Sequence, residues 1–198
     1  MKITSAELFD QAFVPDQIPS PGYPQVAVFG RSNVGKSSLL ASLMGRKKLV
    51  KVSSKPGKTR AIFYYLVNGS VLLVDLPGYG FSRAPRAMTS QWQHLVEAFL
   101  DNHPGPALAL HLIDIRHPPT RDDITVHRII KERGIPDIVV ATKADKLSRS
   151  GRLRSLEVIS RTLDEPRERI VPTSVKDSAI PIGALWDRIA EEIGMTGG

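Results

Sequence analysis

The sequence contains no cysteine. Disulfides, thiolate metal sites and cysteine nucleophiles are therefore excluded, and the composition suits a reducing compartment. There is no uninterrupted apolar run of about 18 residues, the length a membrane-crossing helix needs, so none is expected. The opening MKITSAELFD carries acidic and polar residues where a secretory signal would carry an apolar core. Aromatic residues make up only 6% of the chain and form no platform, interleaved with basic residues, of the kind that stacks on RNA bases. His94, His103, His111, His117 and His127 show no ligand spacing with carboxylates, so none is assigned to a metal. Acids are outnumbered, 20 against 27 Lys and Arg, leaving a net charge of +7 and a positive field that attracts polyanions such as RNA. At 198 residues the chain can bury one sizeable core but is short for two. A soluble, cytoplasmic monomer of one domain is the expectation.

What the chain does carry is alternation. QVAVF at 25–29 reads as a short apolar strand, followed by a glycine-bearing loop and by SSLLASLMG, a helix closed near Gly45. IFYYLV (62–67) and VLLVD (71–75) flank Asn68-Gly69, a pair that tolerates positive φ and so predicts a hairpin. A helix is expected from about Thr89 to Asn102, then the strand ALALHLID (107–114). The next helix starts at Thr120, where Thr120 and Asp123 stand at capping spacing, and stops at Gly134. DIVVATK (137–143) is a buried strand, a polar helix spans about 150–163, and IVPT (170–173) is the last strand. The final helix aligns Ile182, Leu185, Trp186, Ile189 and Ile193 on one face; Trp186 and Trp92 read as packing residues. Such alternation predicts an α/β fold of three layers around a mostly parallel six-stranded sheet with one antiparallel hairpin strand. Residues 1–24, proline-rich from 13 onward, are expected to be an extended lead-in, 25–194 the domain and 195–198 a frayed tail. RKKLVKVSSKPGKTR (46–60) is too basic for a core element and reads as a long functional loop.

Gly30-Arg31-Ser32-Asn33-Val34-Gly35-Lys36-Ser37 fits the G-x-x-x-x-G-K-[ST] pattern between a strand and a helix. Glycines let the main chain wrap closely round phosphates, N–H groups at the helix start point inward, and the helix dipole adds partial positive charge. The phosphate-binding stretch is taken to run through Ser38. Lys36 is expected to span the β- and γ-phosphates, and Ser37 to ligate Mg²⁺. Asp75-Leu76-Pro77-Gly78 ends a strand; Asp75 is placed to orient the magnesium through water and the Gly78 N–H to sense the γ-phosphate, although such a turn also forms without a ligand.

Thr142-Lys143-Ala144-Asp145 closes the 137–143 strand at its carboxyl end, where ligands of open α/β sheets bind. Asp145 can accept from the N1–H and the exocyclic amine of guanine, whereas adenine offers no matching donor pair. An unpaired charged partner costs about 1.5–3 kcal/mol, so the aspartate selects guanine. Lys143 is placed along the base plane, with Thr142 tying this loop to the phosphate loop. Thr173-Ser174-Val175, after the last strand, is placed to present an N–H to the guanine O6. Thr59 in the basic loop is a candidate second hydroxyl on Mg²⁺, in competition with Ser53 and Ser54.

The ordered set GRSNVGKS, PGKT, DLPG and TKAD resembles the translation-factor-related GTPases. The longer wording QVAVFGRSNVGKSSLL, KPGKTR, LLVDLPGYGF and ATKADKL is similar to the EngB (YsxC) family of ribosome-biogenesis GTP-binding proteins, over residues 25–180. The resemblance implies a Ras-like P-loop GTPase domain cycling between GTP and GDP with Mg²⁺. It implies that Gly57 and Lys58 lie at the nucleotide and that Thr59 is the switch I magnesium ligand. It further implies partnership with the large ribosomal subunit or its precursor, rRNA and ribosomal proteins included, and a link to cell cycle and septation. Gln25, the Ser-Ser-Lys before Pro56 and Thr173-Ser174-Val175 depart from the family's usual wording.

Many GTPases orient the attacking water with a glutamine directly after the switch II glycine. Tyr79 stands there instead, and a phenol ring is poorly suited to polarise that water, so slow hydrolysis resting on Lys36 and Mg²⁺ is expected. Asn33 offers an oxygen that could hold a monovalent cation, K⁺, against the phosphates; the alternative is that it merely serves a turn with positive φ. Arg46, Lys47, Lys48, Lys51, Lys55, Lys58 and Arg60 crowd the basic loop, and Arg83 and Arg86 follow DLPG. Ordering of these loops by nucleotide would assemble a phosphate-binding face for RNA. Two further readings are a regulatory nucleotide-binding module with a protein partner and negligible catalysis, and a small-molecule kinase, for which no acceptor-binding lid is evident.

Overall fold

The computed structural model describes residues 2–46, 49, 61–80, 86–102, 105–177 and 182–195, with residues 86–92 described by main chain only. Its strands are β1 (Ala6–Ala12), β2 (Gln25–Gly30), β3 (Ile62–Val67), β4 (Val71–Asp75), β5 (Leu108–Asp114), β6 (Asp137–Thr142) and β7 (Ile170–Pro172), and its α-helices are α1 (Lys36–Leu43), α2 (Arg86–Asp101), α3 (Arg121–Glu132), α4 (Arg149–Leu163) and α5 (Gly183–Glu192). All seven strands join one sheet in the order β1-β3-β4-β2-β5-β6-β7. The β1–β3 and β3–β4 pairs are antiparallel, and the other four are parallel.

The central strands are mostly apolar because both faces are covered, and their alternation sorts the side chains into two layers. Val26 and Val28 pack with Leu39, Leu40 and Leu43 of α1 and with Leu185, Trp186 and Ile189 of α5. Ala27 and Phe29 point the other way, to Leu95 and Phe99 of α2 and Ile130 of α3. Farther along the sheet, Val139 and Ala141 meet Leu156, Ile159 and Leu163 of α4. The Trp186 indole N–H donates to the carbonyl of Leu43 at 2.8 Å, so this tryptophan both packs and satisfies an orphan group at the end of α1. Asn68 and Gly69 have φ of 51° and 61°, as the hairpin reading requires. The predicted capping pair of α3 is a full capping box between Thr120 and Asp123.

The sheet has one strand more than the six expected. Residues 6–12, assigned to the lead-in, form an antiparallel edge strand with a bulge between Leu8 and Asp10. The signal was hidden because most of β1 is exposed, Leu8 and Phe9 included, so no core-facing alternation marks it. What docks it is distant in sequence. The Asn68 Oδ1 accepts from Thr4 N, Thr4 Oγ1 and Ser5 N at 2.8, 3.0 and 3.1 Å, and its Nδ2 donates to the Lys2 carbonyl at 2.8 Å. Asn68→Gly keeps the positive φ while deleting these bonds. The expected result is a loss of about 1–3 kcal/mol of unfolding free energy in urea titration, with faster amide exchange concentrated in residues 6–12.

Candidate functional site

The carboxyl ends of β2, β4, β5 and β6 bring the predicted motifs to one end of the sheet. Gly30 is a steric requirement: a Cβ there would stand 2.7 Å from Val34 Cγ1 and 3.1 Å from Leu112 Cβ. The loop then doubles back through left-handed residues, Asn33 at φ 63° and Gly35 at φ 109°. Asparagine tolerates that region better than most residues, so its backbone alone gives Asn33 a reason to be there. At the start of α1 no side chain caps the helix. Its first amide groups and the positive end of its dipole form the kind of surface that phosphate oxygens occupy. The Lys36 ammonium pairs with Asp75 Oδ1. Asp75 is therefore a buried carboxylate already facing a cation, the ammonium of the residue before Ser37. A serine hydroxyl and a carboxylate are hard oxygen donors, the chemistry that suits Mg²⁺.

Gly78 lies on the phosphate loop, where an added Cβ would approach Ser32 N to 3.1 Å and Gly30 O to 3.3 Å. Tyr79 continues that contact: its N–H donates to the Gly30 carbonyl at 3.3 Å, and its carbonyl accepts from Ser32 N at 2.9 Å. The tyrosine side chain is buried. Its hydroxyl lies 2.7 Å from Asp123 Oδ1 and 2.9 Å from His111 Nε2. Burial, reinforced by the charge of Asp123, raises the phenol pKa well above its ordinary value. Burial likewise pushes fully enclosed His111 down to about 3, helped by His127.

On the opposite side of the loop, Thr142 Oγ1 donates to the Val34 carbonyl at 2.8 Å, and Lys143 Nζ donates to the Asn33 carbonyl at 2.8 Å and to Asp114 Oδ2 at 2.8 Å. Burial tends to raise the Asp114 pKa, but hydrogen bonds from Arg116 and Lys143 hold it well below the usual carboxylate range. Asp145 Oδ1 accepts from Ser174 Oγ at 2.9 Å, a bond that also lowers its pKa. The Ala144 N–H donates to the Thr173 carbonyl at 3.0 Å, which fastens residues 173 and 174 beside 144 and 145. A cavity of about 190 Å³ opens here, lined among others by Arg31, Asn33, Asp114, Arg116 and Lys143.

The family described as 50S ribosome-binding GTPase matches residues 25–143. A probable GTP-binding protein EngB from Alkaliphilus metalliredigens is 44% identical over 192 residues, covering 96% of this chain and 92% of that protein. The chain belongs to the EngB family of GTPases. The crystal structure of a probable EngB superposes with a TM-score of 0.73 at 25% identity, over 87% of this chain and 99% of that one. Era, in complex with MgGDPNP and nucleotides 1506–1542 of 16S ribosomal RNA, gives a TM-score of 0.63 at 26% identity, over 86% of this chain and 56% of that one. The GTPase fold is thus shared well beyond close relatives.

Within this EngB-family site the structure separates main-chain from side-chain roles. Val34, Leu76 and Ala144, all named among the nucleotide-contacting residues, bury their side chains in the core. Only their main chain can face a ligand. Val175 is largely exposed. Gly57, Lys58 and Thr59, with the basic residues of 47, 48 and 50–60 and Arg83, lie outside the described residues, as do the side chains of Arg86 and Trp92.

Sequence reasoning missed Asp114, which carries no motif but ends β5 beside Lys143, and the Asp123–His111 pair behind Tyr79. It also found no metal-ligand spacing between a histidine and carboxylates, yet the fold brings ligand atoms of His127, Asp137 and Glu165 within 4.8 Å of one another. There a lysine plays the cation: Lys131 Nζ lies 2.6 Å from both Asp137 Oδ1 and Glu165 Oε2. The larger cavity, about 660 Å³, adjoins this cluster and contains none of the predicted nucleotide residues.

Because His111 is neutral when folded and titrates near its ordinary value of 6.5 when unfolded, the unfolded chain takes up the proton first as pH falls. Its contribution is fully present above about pH 6.5 and is lost as pH drops toward 3. The expected result is a melting temperature that declines across that window, with a shallower decline in His111→Gln, followed by circular dichroism.

Proposed function

We propose that the chain binds GTP and GDP through residues 30–38, 75–78, 142–145 and 173–175, with Gly57, Lys58 and Thr59 completing the site. Mg²⁺ is held by Ser37 and Thr59, and Asp145 selects guanine. One observation carries this reading: Thr142 and Lys143 each donate to a main-chain carbonyl of the phosphate loop, so Asp145 and Lys36 belong to one unit. Residues 25–194 act as the working domain.

Hydrolysis is slow in this reading. The Tyr79 hydroxyl is committed to Asp123 and His111 and is withdrawn from any attacking water. Lys36 and the bound magnesium supply positive charge to the transferring phosphoryl group, and Asn33 adds a site for K⁺. Turnover by the purified protein is expected to be slow and to rise in potassium over sodium buffer; equal rates would leave Asn33 with its turn role alone.

The biological role is that of a cytoplasmic, monomeric switch in assembly of the large ribosomal subunit, recognising rRNA and ribosomal proteins, with a link to cell cycle and septation. Support comes from the family description, from Era's complex with MgGDPNP and a segment of 16S ribosomal RNA, and from a net charge of +7 in a sequence whose basic residues crowd 46–60. The sequestered Tyr79 also favours a second reading, a nucleotide-sensing module with negligible catalysis and a protein partner.

The deciding experiment is co-sedimentation with large subunits and their precursors, loaded with GDP or a non-hydrolysable GTP analogue, across a salt series. Tighter binding in the GTP-like state that weakens with salt is expected, because phosphate contacts release counterions. Absence of binding in both states would overturn the ribosomal role.

A further inference from the structure

The Tyr79 hydroxyl has one proton and two neighbours. Asp123 is an acceptor at 2.7 Å, so the proton points there, and the phenol oxygen must then accept from His111 Nε2–H at 2.9 Å. This assignment makes His111 a neutral imidazole with a bare Nδ1, which has no hydrogen-bond partner among the described residues. The lowered His111 pKa agrees with it. His111 is held in plane by stacking on His127, with ring centroids 5.6 Å apart and an interplanar angle of 18°. The other oxygen of Asp123 is already used, accepting from Thr120 N at 2.8 Å and Thr120 Oγ1 at 2.7 Å in the capping box of α3. One carboxylate thus joins the start of α3 to the residue that follows Gly78.

We infer that Tyr79, Asp123 and His111 form a latch that positions Gly78 for the γ-phosphate, so that they set the preference for GTP over GDP without touching nucleotide. The inference rests on the guanine-nucleotide reading above. Gly78 packs against Ser32 and Gly30, and the next residue is bonded to those same two through its main chain. The entry to switch II is thus held to the phosphate loop by two main-chain hydrogen bonds of Tyr79, while the Tyr79 side chain is fixed to His111 of β5 and Asp123 of α3. GDP lies on the phosphate loop and the base side and makes no contact that depends on Gly78. A γ-phosphate does, and a ligand feels only the difference in its affinity for the docked and released states. Tyr79, Asp123 and His111 are therefore positioning residues.

The test compares binding of fluorescent GDP and a fluorescent non-hydrolysable GTP analogue to the wild-type chain and to Tyr79→Phe, with thermal melts to establish folding. Tyr79→Phe is expected to weaken the GTP analogue by about tenfold, the size of one net hydrogen bond, while leaving GDP within about twofold. Should Tyr79→Phe not fold, His111→Leu and His111→Gln carry the test. The leucine removes the donor to the phenol and is expected to lower the ratio of analogue to GDP affinity; the glutamine retains an N–H donor and is expected to restore most of it. Equal losses for both nucleotides, an unchanged ratio, or no difference between His111→Leu and His111→Gln would overturn the latch. If the wild-type chain bound neither nucleotide, the guanine reading would fall and the latch with it, an outcome separate from normal wild-type binding with an unaltered variant ratio.

Discussion

A loop that accepts anions must keep its carbonyl groups otherwise engaged, since each carbonyl oxygen facing a phosphate would repel it. Five carbonyls of residues 30–35 meet that constraint through partners drawn from across the fold. The Gly30 carbonyl accepts from Tyr79 N, that of Arg31 from Val34 N and that of Gly35 from Leu39 N. The carbonyls of Asn33 and Val34 are held by Lys143 and Thr142, more than a hundred residues away. The last two bonds matter most, because they make the end of β6 part of the loop's own hydrogen-bonding. Moving the end of β6 would release two carbonyls of the loop, so the separation between the proposed base side and the phosphate loop is fixed by the same groups that keep those carbonyls engaged.

The same economy governs the charges. Uncompensated buried carboxylates are costly, and the buried Asp75 and Asp123, like the half-buried Asp114 and Asp145, each have a donor suited to their task. Asp75 has the Lys36 ammonium, Asp114 has Lys143 and Arg116, Asp145 has the Ser174 hydroxyl, and Asp123 has Tyr79 and Thr120. Lysine recurs where a partner must serve two groups, because an ammonium has three donors in no fixed plane. Lys143 spends them on a carbonyl and a carboxylate. Lys131 does the same for two carboxylates away from the site, where the result is an ion-pair cluster beneath α3.

Local chemistry was legible in the sequence wherever a residue's role depends on its near neighbours. The strand–loop–helix around Gly30 and Lys36, the turn at Asn68-Gly69 and the capping box at Thr120 and Asp123 could all be read from a few adjacent residues. Thr142 could be placed against the phosphate loop because two motifs implied a common ligand. What stayed hidden depends on contacts between residues far apart. Asn68 looks like a turn residue and is also the anchor for residues 2–5, about sixty positions earlier. Asp123 looks like a cap and is also the acceptor for Tyr79, 44 positions away. In both cases a side chain with a complete local explanation had acceptors or donors to spare, and no pattern in the string records what they do. Asp137 and Glu165 were missed for a related reason: their neighbour His127 faces them only after α3 and α4 have packed on the sheet.

Stability alone does not account for a tyrosine, a histidine and an aspartate packed together under the phosphate loop. Apolar side chains of similar volume usually match or exceed such a buried polar group in net stability, since the hydrogen bonds largely repay desolvation. They would not, however, discriminate between neighbouring positions of the chain. A phenyl ring can slide or rotate within an apolar pocket at small cost, whereas a phenol that must both donate to Asp123 and accept from His111 has one satisfactory placement. Displacing it by even an ångström takes the Tyr79 hydroxyl away from one oxygen of the Asp123 carboxylate and from a buried imidazole N–H. The network therefore converts a soft packing preference into a steep one, at the residue directly following Gly78. The segment proposed to read the outermost phosphate is in this way joined to a discrete, all-or-none contact, which is the physical requirement for a two-state response.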